Sequence, residues 1–341
     1  MKITIKDIAN ECGVSVSTVS MALSDKPNRI SPETKQKVKD AVQRLNYRPN
    51  AAAVSLAKKH SKLIGLIIND LRNTHIASLF MAIDKEVQKK GYSLITHVLL
   101  EDEAYSTSRQ ILEKLLAENI SALIWAKPYI NLEEEREAFV TGINDLEIPV
   151  ASMDDYGFTC PGVDVCFDYY QGAYMATKHL LEYGHTRIGC LAGVRNFKVT
   201  QDRLEGYKAA VTEAGIEFDE DMVYYGNYTM ESGNEALPYL LGQKVTAIFS
   251  FNDEMAFGIY QGARQFGVKI PEGISIIGCD NVPFTNVMEV PLTTIQVPIA
   301  EMGSKLGKEL VAILEGSAGK ERNKIIYKPN LFLRGSTSRI K

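Results

Sequence analysis

The chain is expected to fold as a small all-α helix-turn-helix domain followed by an α/β core of two doubly wound parallel-sheet lobes. Three observations carry this expectation. Apolar residues between Thr4 and Leu45 recur at 3, 1 and 3 residue intervals, the spacing of one helical face, with Gly13 interrupting them. From Leu63 onward, short continuous apolar runs alternate with amphipathic segments, the pattern of buried parallel strands and their crossover helices. Charge divides at the same place: residues 1–62 carry 12 Lys and Arg against 5 Asp and Glu, a net +7, and the remainder carries 26 against 37, a net −11.

In the first unit, Thr4 with Asp7 three positions on is a helix-start signal. Ile5, Ile8, Ala9 and Cys12 form a stripe, and Gly13 can enter left-handed backbone space to end the helix in a sharp turn. Ser15 is placed to cap a second helix, with Val19, Ala22 and Leu23 inward and Val16, Ser17, Ser20 and Met21 outward. Ser31-Pro32 starts a third, proline suiting the first helical position, and Val38, Ala41, Val42 and Leu45 are its stripe. A plain helical hairpin would account for the first two helices. The third helix and the surrounding positive charge favour instead a unit whose second helix enters a DNA major groove while cations meet phosphate.

Asn46-Tyr47-Arg48-Pro49-Asn50 breaks this unit off. Ala51 to Ala57 is a run of helix formers about two turns long, marginal in water unless something packs against it. Lys58, Lys59, His60, Ser61 and Lys62 complete a basic linker. The core then reads as strand 63–68, helix 76–90, strand 92–98, helix 105–118, strand 122–126, helix 132–140 and a strand around Val150. A second series begins near Val163: helix 169–183, strand 187–191, helix 203–214, strand 222–225, helix 230–241, strand 246–250, helix 254–266 and strand 274–279. Two series imply two lobes with a cleft between them, ligands lying at the carboxyl ends of the strands.

Other classes fit poorly. Cysteines at 12, 160, 166, 190 and 279 lack a CxxC pair or zinc spacing, so buried reduced thiols and no metal site are expected. The charged start MKITIKDIAN lacks the apolar run of a signal peptide and no stretch is long enough to span a bilayer, so a cytoplasmic location without a membrane partner is expected. Neither GxxxxGK[ST] nor GxGxxG follows Leu63–Ile68, and no nucleophile–base pair stands out, so neither enzymatic activity nor a cofactor is expected. A solute-binding protein of the same core architecture is the alternative; the basic first unit argues against it.

The segments IKDIANECGVSVSTVSMAL, RISPETKQKVKDAVQRLNYRPNAAAVSLA, LIGLIIND, GHTRIGCLAG with DRLEGY downstream, AIFSFNDEMAFG, and ISIIGCDNVPF followed by PLTTIQVP resemble, end to end, the LacI/GalR family of transcriptional repressors. The resemblance implies a headpiece over 1–48, a hinge helix and linker over 49–61, and a periplasmic binding protein-like type I core crossed three times by the chain. One lobe would then comprise 62–162 plus 292–323, and the other 163–291 plus 324–341. It also implies a homodimer on a pseudo-palindromic double-stranded DNA operator, controlled by a small-molecule effector in the cleft, a sugar or sugar derivative. A nucleobase or a protein corepressor is the alternative controlling partner. The chain has no heptad tail after Leu331–Arg334, so a dimer rather than a tetramer is expected.

In the headpiece, Ser15, Ser17, Thr18 and Ser20 are donors for phosphates or base edges, and Val16 and Met21 suit thymine methyl groups. Family positions matching Val16, Ser17 and Met21 read bases; Thr4, Arg29, Tyr47, Asn50 and Ala53 are further DNA-contact candidates. Leu56 resembles the family's leucine wedge, which enters the minor groove and kinks the duplex. Two departures stand out. Met21 occupies the place of a common arginine and cannot clasp a guanine with two hydrogen bonds. Val54 replaces another frequent arginine, with Lys58 and Lys59 as candidate substitutes.

In the core, Asp70, Asn73, Arg203, Asn252 and Asp280 offer the carboxylate, amide and guanidinium groups that form paired hydrogen bonds with vicinal hydroxyls. Asp253 is read as a helix cap. By the resemblance, Tyr228 stacks on the effector, and Asp154 and Ile299 are further cleft candidates. Asn73-Thr74-His75-Ile76 stands where many members carry Asn-Pro-Phe-Phe, which removes an aromatic surface and introduces His75 as a candidate contact for a phosphate or carboxylate.

Overall fold

A computed structural model describes residues 3–23, 29–47, 61–68, 70–99, 105–126, 133–154, 157–319 and 321–340. Asn50, Ala53, Val54, Leu56, Lys58, Lys59 and the expected hinge helix lie outside these residues. The chain divides into two units, Met1–Lys62 and Leu63–Lys341.

The first unit holds α1 (Ile5–Cys12), α2 (Val16–Ala22) and α3 (Pro32–Arg44). Gly13 ends α1 in the left-handed conformation, φ 62° and ψ 35°, as the turn requires. Ser15 accepts the Thr18 N–H at the start of α2, and Ser31 accepts the Thr34 N–H at the start of α3 with proline at its first position. Ile8, Ala9, Cys12, Val19, Ala22, Val38 and Ala41 form the core of this unit, and Leu23, Val42, Leu45 and Tyr47 pack around it. The apolar stripes of all three helices therefore meet as their spacing predicts.

The second unit begins with β1 (Leu63–Ile68), α4 (Thr74–Gln88), β2 (Ser93–Val98), α5 (Tyr105–Ala117), β3 (Ala122–Ala126), α6 (Glu133–Asn144), β4 (Val150–Met153) and β5 (Gly162–Phe167). It continues through α7 (Tyr169–Glu182), β6 (Ile188–Ala192), α8 (Lys198–Glu213), β7 (Val223–Tyr225), α9 (Met230–Gly242), β8 (Ala247–Ser250), α10 (Asp253–Phe266), β9 (Ser275–Asp280) and β10 (Thr293–Gln296). Helix α11 (Ile299–Leu314), β11 (Asn323–Tyr327) and β12 (Asn330–Phe332) complete it. Among the described residues the strands form two sheets, ordered β2-β1-β3-β4-β5-β11 and β7-β6-β8-β9-β10-β12. All pairs are parallel except β10 with β12.

The lobe boundaries expected at 162/163, 291/292 and 323/324 each shift a few residues toward the C-terminus. Strand β5 pairs with β4, so it closes the first sheet and does not open the second lobe. Gly162 permits this pairing: a Cβ there would lie 1.8 Å from the Val150 carbonyl oxygen. Strand β10 adds to the second sheet, and β11 pairs with β5 in the first. An ion pair of buried Asp164 with Arg322, whose Nε donates to Oδ2 at 2.7 Å, ties the β11 end to β5. The chain thus changes lobe between Phe167 and Tyr169, between Gln296 and Ile299, and between Tyr327 and Asn330.

Two helices begin before their expected starts. Helix α8 starts at Lys198 instead of 203, behind Phe197, which offers no side-chain cap. Helix α4 starts at Thr74 instead of 76, because Asn73 accepts the His75 N–H at 2.9 Å. Both shifts matter for the site, since they place Arg203 inside a helix and His75 in the first turn of one.

Candidate functional site

On the first unit, the outward face of α2 is open. Val16 and Met21 are 40% and 43% exposed, and Ser17 and Ser20 are also exposed, whereas Val19 and Ala22 are buried. Met21 is therefore a surface residue, not a part of the core. Ser15 is engaged in capping, with its hydroxyl 2.7 Å from that of Ser17 and 2.9 Å from that of Thr18. Thr4 and Arg29 are exposed, and Tyr47 is half-buried against the core. The Asp7 carboxylate accepts the Thr4 N–H at 2.8 Å and the Thr4 hydroxyl at 2.7 Å, which holds its pKa below the usual carboxylate value.

On the second unit, several candidates meet where the two lobes face each other. Arg203, near the start of α8, is 4% exposed. Its guanidinium lies over the Tyr169 ring at 4.2 Å and reaches the Tyr228 ring at 6.0 Å, both within cation–π range. Nη1 donates to the Tyr228 hydroxyl at 3.4 Å and Nη2 faces Cys279 Sγ at 3.9 Å, while Nε has no hydrogen-bond acceptor from the protein. Tyr228 holds a left-handed backbone, φ 68°, and its hydroxyl lies 2.6 Å from Thr200 Oγ1. Its ring rests directly on Gly193, where a Cβ would fall 2.0 Å from it.

Asp280 ends β9 in an unusual backbone conformation, φ 128°, and Asp154 follows β4 at φ 67°. Both carboxylates bear on the Tyr169 hydroxyl, whose pKa is raised by burial first and then by Asp154. Burial likewise raises Tyr228 and pushes the Cys279 thiol up to about 12. At neutral pH these three groups are uncharged, which leaves Asp154, Asp280 and Arg203 to set the charge of this wall.

Beside Asp280 opens a pocket of about 220 Å³. Its lining joins Thr74, His75 and Ser78 from the first lobe, Asp280 and Asn281 from the second, and Ile299 at the second crossing. Ile299, a cleft candidate by the resemblance, lines this pocket.

Three candidates have work elsewhere. The Asp70 carboxylate accepts both the N–H and the guanidinium of Arg72, which holds its pKa down, and it stands 40% exposed. Asn73 caps α4. Asn252 spends both ends of its amide, accepting the Met255 N–H at 2.9 Å and donating to the Tyr228 carbonyl at 3.0 Å. It caps α10 and fixes the loop that presents Tyr228.

Asp253 is not the cap expected of it. Its buried carboxylate accepts the Thr294 hydroxyl at 2.6 Å and the Val282 N–H at 2.9 Å, tying β10 and the loop after β9 to α10.

Tyr169, Thr200 and Cys279 were not singled out from the sequence. Tyr169 had a usable signal, since it follows a strand's carboxyl end, where ligands of such sheets lie. Among the described residues no group of three or more His, Cys, Asp or Glu is placed to hold a metal ion, and no helix is long and apolar enough to cross a membrane.

Known proteins match both units. Residues 4–50 match the model of bacterial regulatory proteins of the lacI family, and residues 177–337 match a periplasmic binding protein-like domain. The HTH-type transcriptional regulator DegA of Bacillus subtilis is 33% identical over 339 residues, 99% of each chain. A crystal structure of the lac repressor dimer bound to operator and the anti-inducer ONPF superposes with a TM-score of 0.84 at 25% identity, covering 99% of this chain and 100% of that one. A LacI family transcriptional regulator from Enterococcus faecium with bound ribose gives a TM-score of 0.69 at 26% identity, covering 82% and 100%.

Proposed function

Since the chain belongs to the lacI family of bacterial regulatory proteins and is a DNA-binding transcriptional regulator, not an enzyme, we propose that it represses transcription under control of a neutral sugar or sugar derivative bound between its core lobes. The observation that carries this reading is Arg203, a buried guanidinium with its Nε unclaimed, set between two tyrosine rings and near two carboxylates. Vicinal hydroxyls match that set: they donate to Asp154 and Asp280, accept from Arg203, and expose C–H faces to Tyr169 and Tyr228. Two carboxylates against one permanent cation disfavour an anionic ligand, and the pocket of about 220 Å³ adjoins this set at Asp280 alone. The related regulator with bound ribose supports the same class.

On the DNA side, Val16, Ser17 and Met21 are the proposed base readers, with Ser15, Thr18, Ser20, Thr4, Arg29, Tyr47, Asn50 and Ala53 as supporting contacts and Leu56 as the minor-groove wedge. A homodimer would place two such faces on a pseudo-palindromic operator. An effector that prefers one lobe orientation shifts operator affinity by the difference it feels between orientations, typically about 1–3 kcal/mol.

Two measurements test this. Calorimetric titration of free sugars, sugar phosphates and nucleobases should find a neutral sugar binding the wild-type protein and not Arg203→Ala; tight binding of a phosphorylated sugar or a nucleobase alone would overturn the effector class. Leu56→Ala should weaken specific operator binding much more than nonspecific binding in mobility shifts at fixed salt, and equal losses would remove the wedge.

A further inference from the structure

Among the described residues a polar pair spans the lobes, and hydroxyl recognition by Asp280 leaves the histidine facing it without a role. His75, in the first turn of α4, belongs to the first lobe; Asp280, at the end of β9, belongs to the second. Their side chains are only 6% and 9% exposed, with Nδ1 3.8 Å from Oδ1. That separation is within ion-pair reach but too long for a hydrogen bond. Both residues line the pocket of about 220 Å³, so the space into which they would move is the space between the lobes.

An imidazole changes charge close to physiological pH, and a carboxylate facing it across a gap attracts it only when protonated. The other groups around the pair set the balance. Glu301, in the first turn of α11, lines the same pocket and adds negative charge. Arg203, Tyr169, Tyr228 and Cys279 surround Asp280, and of these Arg203 alone is charged at neutral pH. Asp70 and Arg72 stand just ahead of α4 and neutralise each other. Asp253 binds the Val282 N–H two residues beyond Asp280. Asp280 and Glu301 thus place more negative than positive charge around this part of the pocket, while the burial of the ring works against a charged imidazole.

We propose that His75 and Asp280 form a proton-operated latch between the lobes: protonation of His75 draws the carboxylate in and holds the cleft shut, and loss of that proton frees the lobes to part. The proton becomes a second ligand of the cleft, acting on the same lobe equilibrium as the effector. The inference deepens the effector reading but can be measured without effector or DNA.

The test uses the full chain with spin labels on Lys90→Cys in the first lobe and Glu235→Cys in the second, both exposed positions, the five native cysteines all being buried. Pulsed electron resonance should show the population at the closed separation rising at least threefold from pH 8 to pH 5.5. His75→Gln, which keeps a polar side chain without the titration, should abolish that response. A pH-invariant wild-type distribution, or a variant shifting as the wild type does, would overturn the latch. If circular dichroism shows His75→Gln misfolded, Asp280→Asn, which keeps the imidazole and deletes its charge partner, must lose the response instead. Failure of every sugar to bind would overturn the carbohydrate reading and leave this distance measurement standing.

Discussion

The two regions proposed to recognise something keep their chemistry in opposite places. On α2 the outward side chains stand in solvent, held by a core of seven small and mid-sized residues and by hydroxyl caps at Ser15 and Ser31. In the core the groups that matter are enclosed: Arg203, Asp154 and His75 are each more than nine-tenths buried. Partner size explains the contrast. A duplex is larger than the reader and must be met by groups already outside, with salt-dependent phosphate contacts adding affinity. A small ligand offers few contacts, so each must be made in a dry enclosure where hydrogen bonds and charges count for more. Exposure makes the first reader tolerant of substitution, and enclosure makes the second sensitive and dependent on opening.

The largest expected effect separates the two readers. Arg203→Ala should reduce effector affinity by at least about 100-fold, in line with roughly 2–5 kcal/mol for truncating a buried charged hydrogen-bonding partner. Operator affinity of the effector-free protein should stay within about twofold, as measured by calorimetry and mobility shift side by side. Parallel loss of both would mean that the regions are not separate readers.

Enclosure should next show itself in pH dependence. Burial raises the Asp253 pKa above the ordinary carboxylate range to about 6, against the hydrogen bonds from Thr294 and Val282. A folded-state pKa above the unfolded one means the folded core binds the proton more tightly. The stability gained is complete below the unfolded value and is lost as pH rises through about 6. Urea unfolding of the core should therefore lose about 2–3 kcal/mol between pH 4 and pH 7 from this group. Asp253→Asn should flatten that slope, and an unchanged slope would assign it to other groups.

Exposure predicts the opposite profile for Met21. Met21→Arg should introduce a preference for guanine at one half-site position worth about 1–3 kcal/mol. The melting temperature should barely move, because the side chain leaves no cavity. Selection of operator variants followed by sequencing reads the first and calorimetric melting the second; a large loss of stability would return Met21 to the core. The smallest change is expected at Ser15→Ala, which removes the cap of α2 and should cost the first unit about 1 kcal/mol in thermal unfolding.

What the sequence made legible follows the same division. Periodicity exposed the three helices and the outward face of α2, because a short helix on a small core has few neighbours able to override its pattern. The alternation of strands and helices gave both lobes. The lobe boundaries differ because β5, β10 and β11 carry no local mark of the sheet they join: β5 is buried, β10 is the mostly polar TTIQ and β11 is largely exposed, and their pairing depends on partners far away in sequence, such as Arg322 for Asp164. Within the cleft, Arg203, Tyr228 and Asp280 were found through local motifs. Thr200 has no visible role until α8 and the Tyr228 loop are packed together, whereas Tyr169 offers a local signal in its place just after the carboxyl end of β5. Asp70, Asn73 and Asn252 show the converse: polar residues at strand ends, expected at the cleft, whose hydrogen bonds are taken by Arg72 or by nearby backbone.

The threefold exchange of chain between the lobes bears on how such a molecule can be rebuilt. Each sheet takes its last strand from a segment that has already visited the other, so a lobe corresponds to no single stretch of sequence and grafting one from a relative needs three junctions in register. At 62/63, where the two units meet, a single junction suffices. Sensors with new inputs are therefore most simply made by splicing there, trading a complete two-lobed core for another that follows the same headpiece in the chain.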